Sequence, residues 1–311
     1  MEKQLKYDLL LLVVALGWGF SFYFIDISLK YMGPFTLNAY RFILAFLIIG
    51  AIFFKRLGKP SKSTIMHSCL IGSVFFVMYA SSNIGIMFTS LSNASFLPGL
   101  SVVFTPFLSA MIYKKKPENK LLLVVLLSVV GLAFLTLTDG LVINFHHILG
   151  DLLCILTGFA NGLAIVLTGG AVVKKEVDSF QLGVYQLLVT GTLSLILTFI
   201  FEEPSVPAVP EAWFTVLFLA LFCTGLALVL QPIALQYTTD DHVAVILALE
   251  PVFAGFVAYI FAGEVLTKIA YIGAIMMISS TFIMEINFSK LRVSLFNKNE
   301  YKKPTRGNRE N

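Results

Sequence analysis

Phe88-Thr-Ser-Leu-Ser-Asn93-Ala-Ser, followed by Gly99-Leu-Ser-Val-Val-Phe104, is answered 149 residues later by Tyr237-Thr-Thr-Asp-Asp-His242-Val-Ala and Ala248-Leu-Glu-Pro-Val-Phe253, without a gap. Each copy runs on through an apolar stretch to a polar break, Lys114 to Pro117 in the first and Gly263 to Thr267 in the second. Each break leads into one last apolar segment that carries glycine. Asn38-Ala-Tyr-Arg41-Phe and Gly183-Val-Tyr-Gln186-Leu correspond as well, sharing a Tyr followed by a long polar residue. Self-similarity of this kind marks a chain assembled from two copies of one structural unit.

The medium that surrounds those units follows from composition. Of 311 residues, 58% are hydrophobic and 13% charged, against about 45–50% and about 25% in a soluble domain. The mean hydropathy is +0.87. A water-soluble fold cannot hide that much apolar surface, which excludes a soluble enzyme, a nucleic-acid binder and a disordered protein. Cys69, Cys154 and Cys223 lie far apart in apolar stretches, an odd set that reads as packing residues and not as a disulfide framework.

A helix needs about 20 mostly apolar residues to cross the hydrocarbon. Ten stretches meet that need, approximately 7–28, 35–54, 65–87, 92–113, 121–138, 150–172, 181–201, 212–234, 242–262 and 268–287. The first has a basic start at Lys3 and Lys6 but no small-residue cleavage site, so it reads as a retained helix. The expected class is therefore an all-α polytopic membrane protein of ten spans. The units are 1–145 and 146–287, with a basic tail, 288–311. Five spans per unit is odd, so the second unit enters the membrane from the opposite side, an inverted repeat of the sort secondary transporters use for alternating access.

Lys and Arg in the loops orient the chain. With the N-terminus inside, 19 basic residues fall on the inner side and only Lys30 and Lys268 outside, Arg41 being within span two. That split predicts cytoplasmic N- and C-termini. It also accounts for the net charge of +4 through loops that face anionic lipid, with no nucleic-acid partner.

Several of these residues together resemble a known family. Trp18-Gly19 in span one, Arg41 in span two, Asn93-Ala-Ser-Phe-Leu with Leu100-Ser-Val-Val-Phe in span four, and Gly150-Asp-Leu-Leu opening span six are similar to the drug/metabolite transporter superfamily. So are Leu249-Glu-Pro-Val-Phe253 and Gly263-Glu264. The nearest branch is the ten-span EamA-type permeases, and the resemblance covers residues 7–287. It implies two inverted five-helix repeats around a central cavity, and export or facilitated passage of amino acids, related metabolites or small drugs. The family often places an acidic residue in the turn after span four, as Glu264 stands after span nine. Here that position is Lys115, within Lys114-Lys-Lys116.

Ionisable groups at membrane depth cost roughly 2.5–3.5 kcal/mol on insertion scales and are rarely kept without use. Glu250 lies about nine residues into span nine beside Pro251, whose missing N–H breaks the helical ladder. A carboxylate there suits a proton or a substrate amine, or else a structural pairing with a neighbouring helix. Arg41 and Asp26 both lie toward the outer face and are expected to pair, with Arg41 as an anchor for a substrate carboxylate in the alternative. Neutral polar groups that could face a cavity, or glue helices together, are Tyr79, Ser81, Ser82 and Asn83 in span three, Asn93 and Ser95 in span four, Gln186 in span seven, and Gln231 and Gln236 in span eight. Tyr79 and Asn83 are one turn apart and share a face. Trp18 and Tyr259 complete the cavity candidates. Trp213 suits the interfacial belt, and Gly158-Phe-Ala-Asn-Gly162 a close helix approach.

No glycine-rich Walker loop occurs, so ATP-driven transport by this chain is not expected, nor an ATPase subunit. His146-His147 in an outer loop is too few ligands for a metal site, and no cofactor is called for. The leading expectation is a transporter in the bacterial cytoplasmic membrane that exports a small metabolite, foremost an amino acid. Rivals are a drug or other-metabolite exporter, and an importer-type carrier for phosphorylated sugars. The last needs a basic cavity, and Arg41 is the lone cation at depth. A receptor needs no inverted repeat, and a lipid enzyme needs clustered nucleophiles at one interface.

Overall fold

The computed structural model describes residues 2–89, 91–114, 119–137, 148–263 and 267–285. Within these residues the chain is helical, with short turns and no strand. The helices are α1 (Glu2–Leu29), α2 (Pro34–Ile52), the single turn α3 (Phe54–Leu57), α4 (Lys62–Phe88), α5 (Leu91–Gly99), α6 (Ser101–Tyr113), α7 (Asn119–Thr136), α8 (Ile148–Val172) and α9 (Ser179–Phe201). They continue with α10 (Pro210–Phe218), α11 (Ala227–Leu235), α12 (Asp240–Leu247), α13 (Glu250–Val257) and α14 (Lys268–Glu285). A π-helical stretch, Leu219–Leu226, joins α10 to α11, and another, Ala258–Ala262, prolongs α13.

Nine of the described helical runs are long and apolar enough to cross a bilayer, among them Phe96–Tyr113, Pro210–Leu235 and Asp240–Phe261. The last stretch, Lys268–Met284, is apolar but shorter. The tail 288–311, Lys115, His146, His147 and Glu264 lie outside the described residues, as does the side chain of Ser95. Large apolar side chains cover the outside of the bundle, such as Leu126, Phe199, Phe214 and Phe282, each more than 60% exposed. In water such a surface would drive aggregation; in lipid it is the required one.

Helix starts follow local chemistry. Ser61, Asp178 and Thr239 cap α4, α9 and α12 by accepting from the backbone N–H of Thr64, Gln181 and His242. The sequence at the start of α2, Gly33-Pro34-Phe35-Thr36, offers no such side chain. Glu202, at the end of α9, supplies it from 166–167 residues away. Its carboxylate accepts from Phe35 N at 2.8 Å, Thr36 N at 2.8 Å and Thr36 Oγ1 at 2.6 Å. Any side chain at Gly33 would run into that carboxylate. An anion at a helix N-terminus is also favoured by the helix dipole.

Two breaks shape the centre of the bundle. Between α5 and α6, Leu100 N bonds Leu97 O at 3.2 Å, and Leu100 O accepts from Val103 N and Phe104 N at 2.8 and 3.1 Å. Between α12 and α13, Leu249 N bonds Ile246 O at 3.1 Å, and Leu249 O accepts from Val252 N and Phe253 N at 3.0 and 3.1 Å. Pro98 and Pro251 beside these breaks remove a helical donor each. The two bond patterns match residue for residue at a separation of 149. Both segments then end in the left-handed region, at Lys114 (φ 53°) and Gly263 (φ 67°), again 149 apart. Gly263 adopts this conformation freely and Lys114 at some cost.

Packing is by close helix pairs, antiparallel for α7 with α14 and α4 with α8, parallel for α1 with α13 and α8 with α6. α7 meets α14 through Gly131 and Gly273, with Ser128 Oγ and Ser280 Oγ 2.8 Å apart. α4 meets α8, where Ser81 Oγ lies 2.9 Å from Thr157 Oγ1. α1 lies against α13, and Gly19 is what permits it: a Cβ there would stand 2.6 Å from Cβ of Phe253. α8 lies against α6 in the same way at Gly162, opposite Phe104.

Candidate functional site

The two breaks open onto one central cavity of about 70 Å³. Pro98, Gly99 and Ser101 reach it from one break, and Leu247, Ala248, Glu250 and Pro251 from the other. α1 contributes Trp18, Ser21, Phe22 and Ile25, α4 contributes Met78, Tyr79, Ser82 and Asn83, and α8 contributes Thr157 and Asn161. The α1, α4 and α8 residues belong to the parts of those helices nearer the end of the bundle where Asp26 lies. The opposite end, where α1 begins, is filled. Tyr7 and Tyr237 stack there with ring centroids 4.0 Å apart and planes 5° apart. Tyr113 Oη donates to Val166 O at 2.8 Å, and Asp240 packs onto Gly169. A volume of about 70 Å³ holds a few waters at about 10–15 Å³ each. A metabolite fits only if the helices move.

Polar chemistry in this space is sparse and mixed. Trp18 Nε1, Tyr79 Oη and Asn161 Oδ1 are buried and hydrogen-bond no protein group. They offer an N–H donor, a hydroxyl and an acceptor to whatever occupies the cavity. Unmade bonds of this kind cost about 1–3 kcal/mol each, which argues that a solute or water completes them. Glu250, at the start of α13, brings the one carboxylate into the lining. Asn83, also in the lining, is anchored by donating from Nδ2 to Asn38 Oδ1 at 3.3 Å and to Pro34 O at 3.4 Å.

Of the residues singled out from the sequence, Trp18, Tyr79, Ser82, Asn83 and Glu250 line the cavity. Asn93 stands at the Asp26 end, donating to Asp151 Oδ1 at 2.9 Å, the same oxygen that Thr89 Oγ1 bonds. Gln186 donates to Leu228 O at 2.8 Å and is buried elsewhere in the core. Gln231 is 1% exposed and packed away from the cavity. Gln236 is exposed, and Tyr259 is 53% exposed on the bundle's outer surface.

The expected Arg41–Asp26 pair does not form. Asp26 bonds Lys30 Nζ at 3.2 Å, one helical turn away, and both side chains are largely exposed. Arg41 is wholly buried, donating from Nε to Thr224 Oγ1 at 2.8 Å, with Cζ 5.0 Å from the centre of the Tyr79 ring. Helix rotation decides this: it turns Arg41 inward and Asp26 outward. An i,i+4 Asp–Lys pair was the nearer partner all along.

Asn161, Ser101 and Thr157 were not singled out. Asn161 had a signal. Asp8…Trp18-Gly19 and Asp151…Asn161-Gly162 align at a separation of 143, which sets Asn161 opposite Trp18. A second, larger crevice of about 300 Å³ lies between α2 and α9, lined by Thr36, Tyr40, Leu195 and Phe199 among others. It carries no charged group and lies away from the breaks. Among the described residues no cluster of three His, Cys, Asp or Glu could hold a metal, and the three cysteines are free thiols.

Comparison with known proteins agrees with this architecture. The EamA-like transporter family matches residues 5–137 and 148–286. An uncharacterized transporter of Archaeoglobus fulgidus is 32% identical over 285 residues, covering 89% of this chain and 96% of the relative. The uncharacterized transporter YoaV of Bacillus subtilis is 22% identical over 297 residues, covering 93% of this chain and all of the relative. A solved crystal structure shares the fold at a TM-score of 0.77, with 16% identity over 92% of this chain and 98% of its own. The chain, a multi-pass membrane protein, therefore belongs to the EamA-like transporter family and is an EamA-type permease of the drug/metabolite transporter superfamily.

Proposed function

We propose that this permease is a secondary active or facilitative exporter of small metabolites, foremost amino acids, working by alternating access through the central cavity. The observation that carries the reading is the meeting of the two matched breaks on one cavity, where Glu250 faces Trp18, Tyr79 and Asn161. A carboxylate with unpaired neutral donors and an acceptor suits a solute with an ammonium group and further polar atoms. It does not suit a phosphate, since among the described residues no Lys or Arg reaches the lining. Glu250 is the group we assign to a proton or the substrate amine.

Alternating access rests on reading the chain as two inverted five-span repeats, 1–145 and 146–287, with Lys268–Glu285 as the tenth span. Support comes from the 149-residue match of breaks and left-handed ends. It comes also from Gly19 on Phe253 repeating as Gly162 on Phe104. The split of Lys and Arg between the loops supports a bacterial cytoplasmic-membrane setting with both termini inside, the cavity then lying toward the outside. The test is counterflow in proteoliposomes, with a labelled neutral amino acid against unlabelled amino acids, polyamines and sugars. Exchange with one amino-acid class supports the reading. Exchange only with sugars or polyamines overturns the amino-acid assignment.

A further inference from the structure

The cavity seen here occupies one half of the bundle, and the repeat says where its counterpart would be. Aligning first spans at a separation of 143 and later spans at 149 sorts the lining into two kinds. Trp18 pairs with Asn161, Pro98 with Leu247, Gly99 with Ala248 and Ser101 with Glu250, and both members of every pair touch the cavity. These form a floor shared by the two units. The rest of the wall has no such partner in the cavity. Its images are Val14, Ala164, Ile165, Thr168, Leu228 and Gln231 with their neighbours, all now buried. Gln231 is the image of Ser82.

Gln231 is also anomalous by itself. Its side chain is 1% exposed, yet neither Nε2 nor Oε1 has a hydrogen-bond partner. An amide buried this way costs several bonds' worth of desolvation with no return. Leu228, one turn back on the same helix, is wholly buried, and its O already accepts from Gln186. The Tyr7–Tyr237 stack closes the bundle beyond it, six residues along the chain from Gln231.

We propose that Gln231, with Thr168, Ile165 and Leu228, lines a second cavity that opens toward the Tyr7 end when the present one closes, and that its carboxamide there hydrogen-bonds the transported solute. The carboxamide supplies a donor group, Nε2, and an acceptor, Oε1, so the solute it serves is a small polar metabolite bearing both kinds of group, the same one that meets Glu250 on the shared floor. Separation of the Tyr7 and Tyr237 rings is the step that admits it. This inference rests on the two-repeat reading above.

The test uses the full chain with Cys69→Ser, Cys154→Ala and Cys223→Ala, reconstituted in liposomes and probed with a maleimide. Gln231→Cys is combined with Tyr7→Cys and Tyr237→Cys, the latter two oxidised to a disulfide before labelling and then reduced. Gln231→Cys should label in the reduced protein and lose labelling in the oxidised one. Thr168→Cys is a second reporter with the same expected pattern, should Gln231→Cys fail to fold. Ser82→Cys should label in both states. Ser82→Cys labelled with Gln231→Cys and Thr168→Cys silent throughout overturns the second cavity and leaves the first. Equal labelling of Gln231→Cys with and without the disulfide overturns it too. A silent Ser82→Cys would instead break the central-cavity reading itself.

Discussion

The guanidinium of Arg41 lies 5.0 Å over the ring of Tyr79, and that ring forms part of the cavity wall. One aromatic side chain thus separates the buried cation of α2 from the space where Glu250 stands. Nε of Arg41 is held by Thr224 on the facing π-helical stretch, while Nη1 and Nη2 bond no protein group. A buried cation so placed is tolerable because the ring face attracts it. Tyr79→Phe keeps that ring and removes an unpaired hydroxyl, so stability should change by less than about 1 kcal/mol. Tyr79→Leu removes the ring and should cost about 2 kcal/mol or more. Thermal unfolding of the purified protein checks the order. If the hydroxyl serves the solute, Tyr79→Phe should still raise the KM for exchange.

Thr224→Val tests the other hold on Arg41. It removes the acceptor of Nε without changing side-chain size, and leaves a fully buried cation short of its one hydrogen bond. Bonds to charged groups contribute about 1.5–3 kcal/mol, and the variant should lose about that much stability. Arg41→Met in the same background should recover part of it, because a buried charge without partners is worse than an apolar chain of similar length. No recovery would mean that the guanidinium is paired in a way the geometry here does not show.

Glu250→Gln separates coupling from passage. Among the described residues its carboxylate is the one charged group in the cavity lining. The glutamine keeps size and hydrogen-bonding capacity but carries no proton through the relevant range. Counterflow driven by solute alone should persist, whereas accumulation driven by a pH gradient should fall to the level of empty liposomes. Equal loss of both, in protein shown to be folded, would assign Glu250 to solute binding and not to coupling.

Close approach of α1 to α13 gives a graded stability prediction. A Cβ on Gly19 would meet Phe253 Cβ at 2.6 Å and Ala254 N at 2.9 Å, and backbone cannot retreat cheaply. Its counterpart on Gly162 would meet Phe104 Cβ and Thr105 N at 3.1 Å. Overpacking costs typically about 1–3 kcal/mol. Gly19→Ala should sit at the upper end of that range and Gly162→Ala at the lower, read as the difference in unfolding temperature.

Glu202→Ala should loosen the start of α2, where one carboxylate serves three donors. Loss of a cap costs about 0.5–2 kcal/mol. Glu202→Gln keeps an acceptor and loses the charge opposite the helix dipole, so it should fall between wild type and Glu202→Ala. Hydrogen exchange at the amides of Phe35 and Thr36 reports it locally.

The sequence made the membrane class plain, because no soluble fold can hide a 58% hydrophobic chain. Pro251 marked one break, and the gapless match between spans four and nine points to the other. Long-range partners were not legible. Nothing near Arg41 points to Thr224, 183 residues on, because the rotation of one helix against another is set by packing on all sides. The π-helical stretch Leu219–Leu226 contains no proline and no local signal; it sits where Gly225 packs beside Ile49 and Ala45 of α2. Tyr259 was aromatic at membrane depth and yet faces outward, since depth along a helix says nothing of its azimuth, while Gln236 is exposed because α11 ends at Leu235. Asn161 was missed because a neutral amide among small residues looks like packing until it is set against Trp18.

The most direct test of passage through the central cavity is counterflow before and after the cavity is plugged. Ser82→Cys in the cysteine-free chain places a single thiol on the cavity wall, and a bulky maleimide attached there fills a space of about 70 Å³. Transport through this cavity predicts that exchange falls to the level of empty liposomes in proportion to the fraction labelled. Full labelling with undiminished exchange would contradict it.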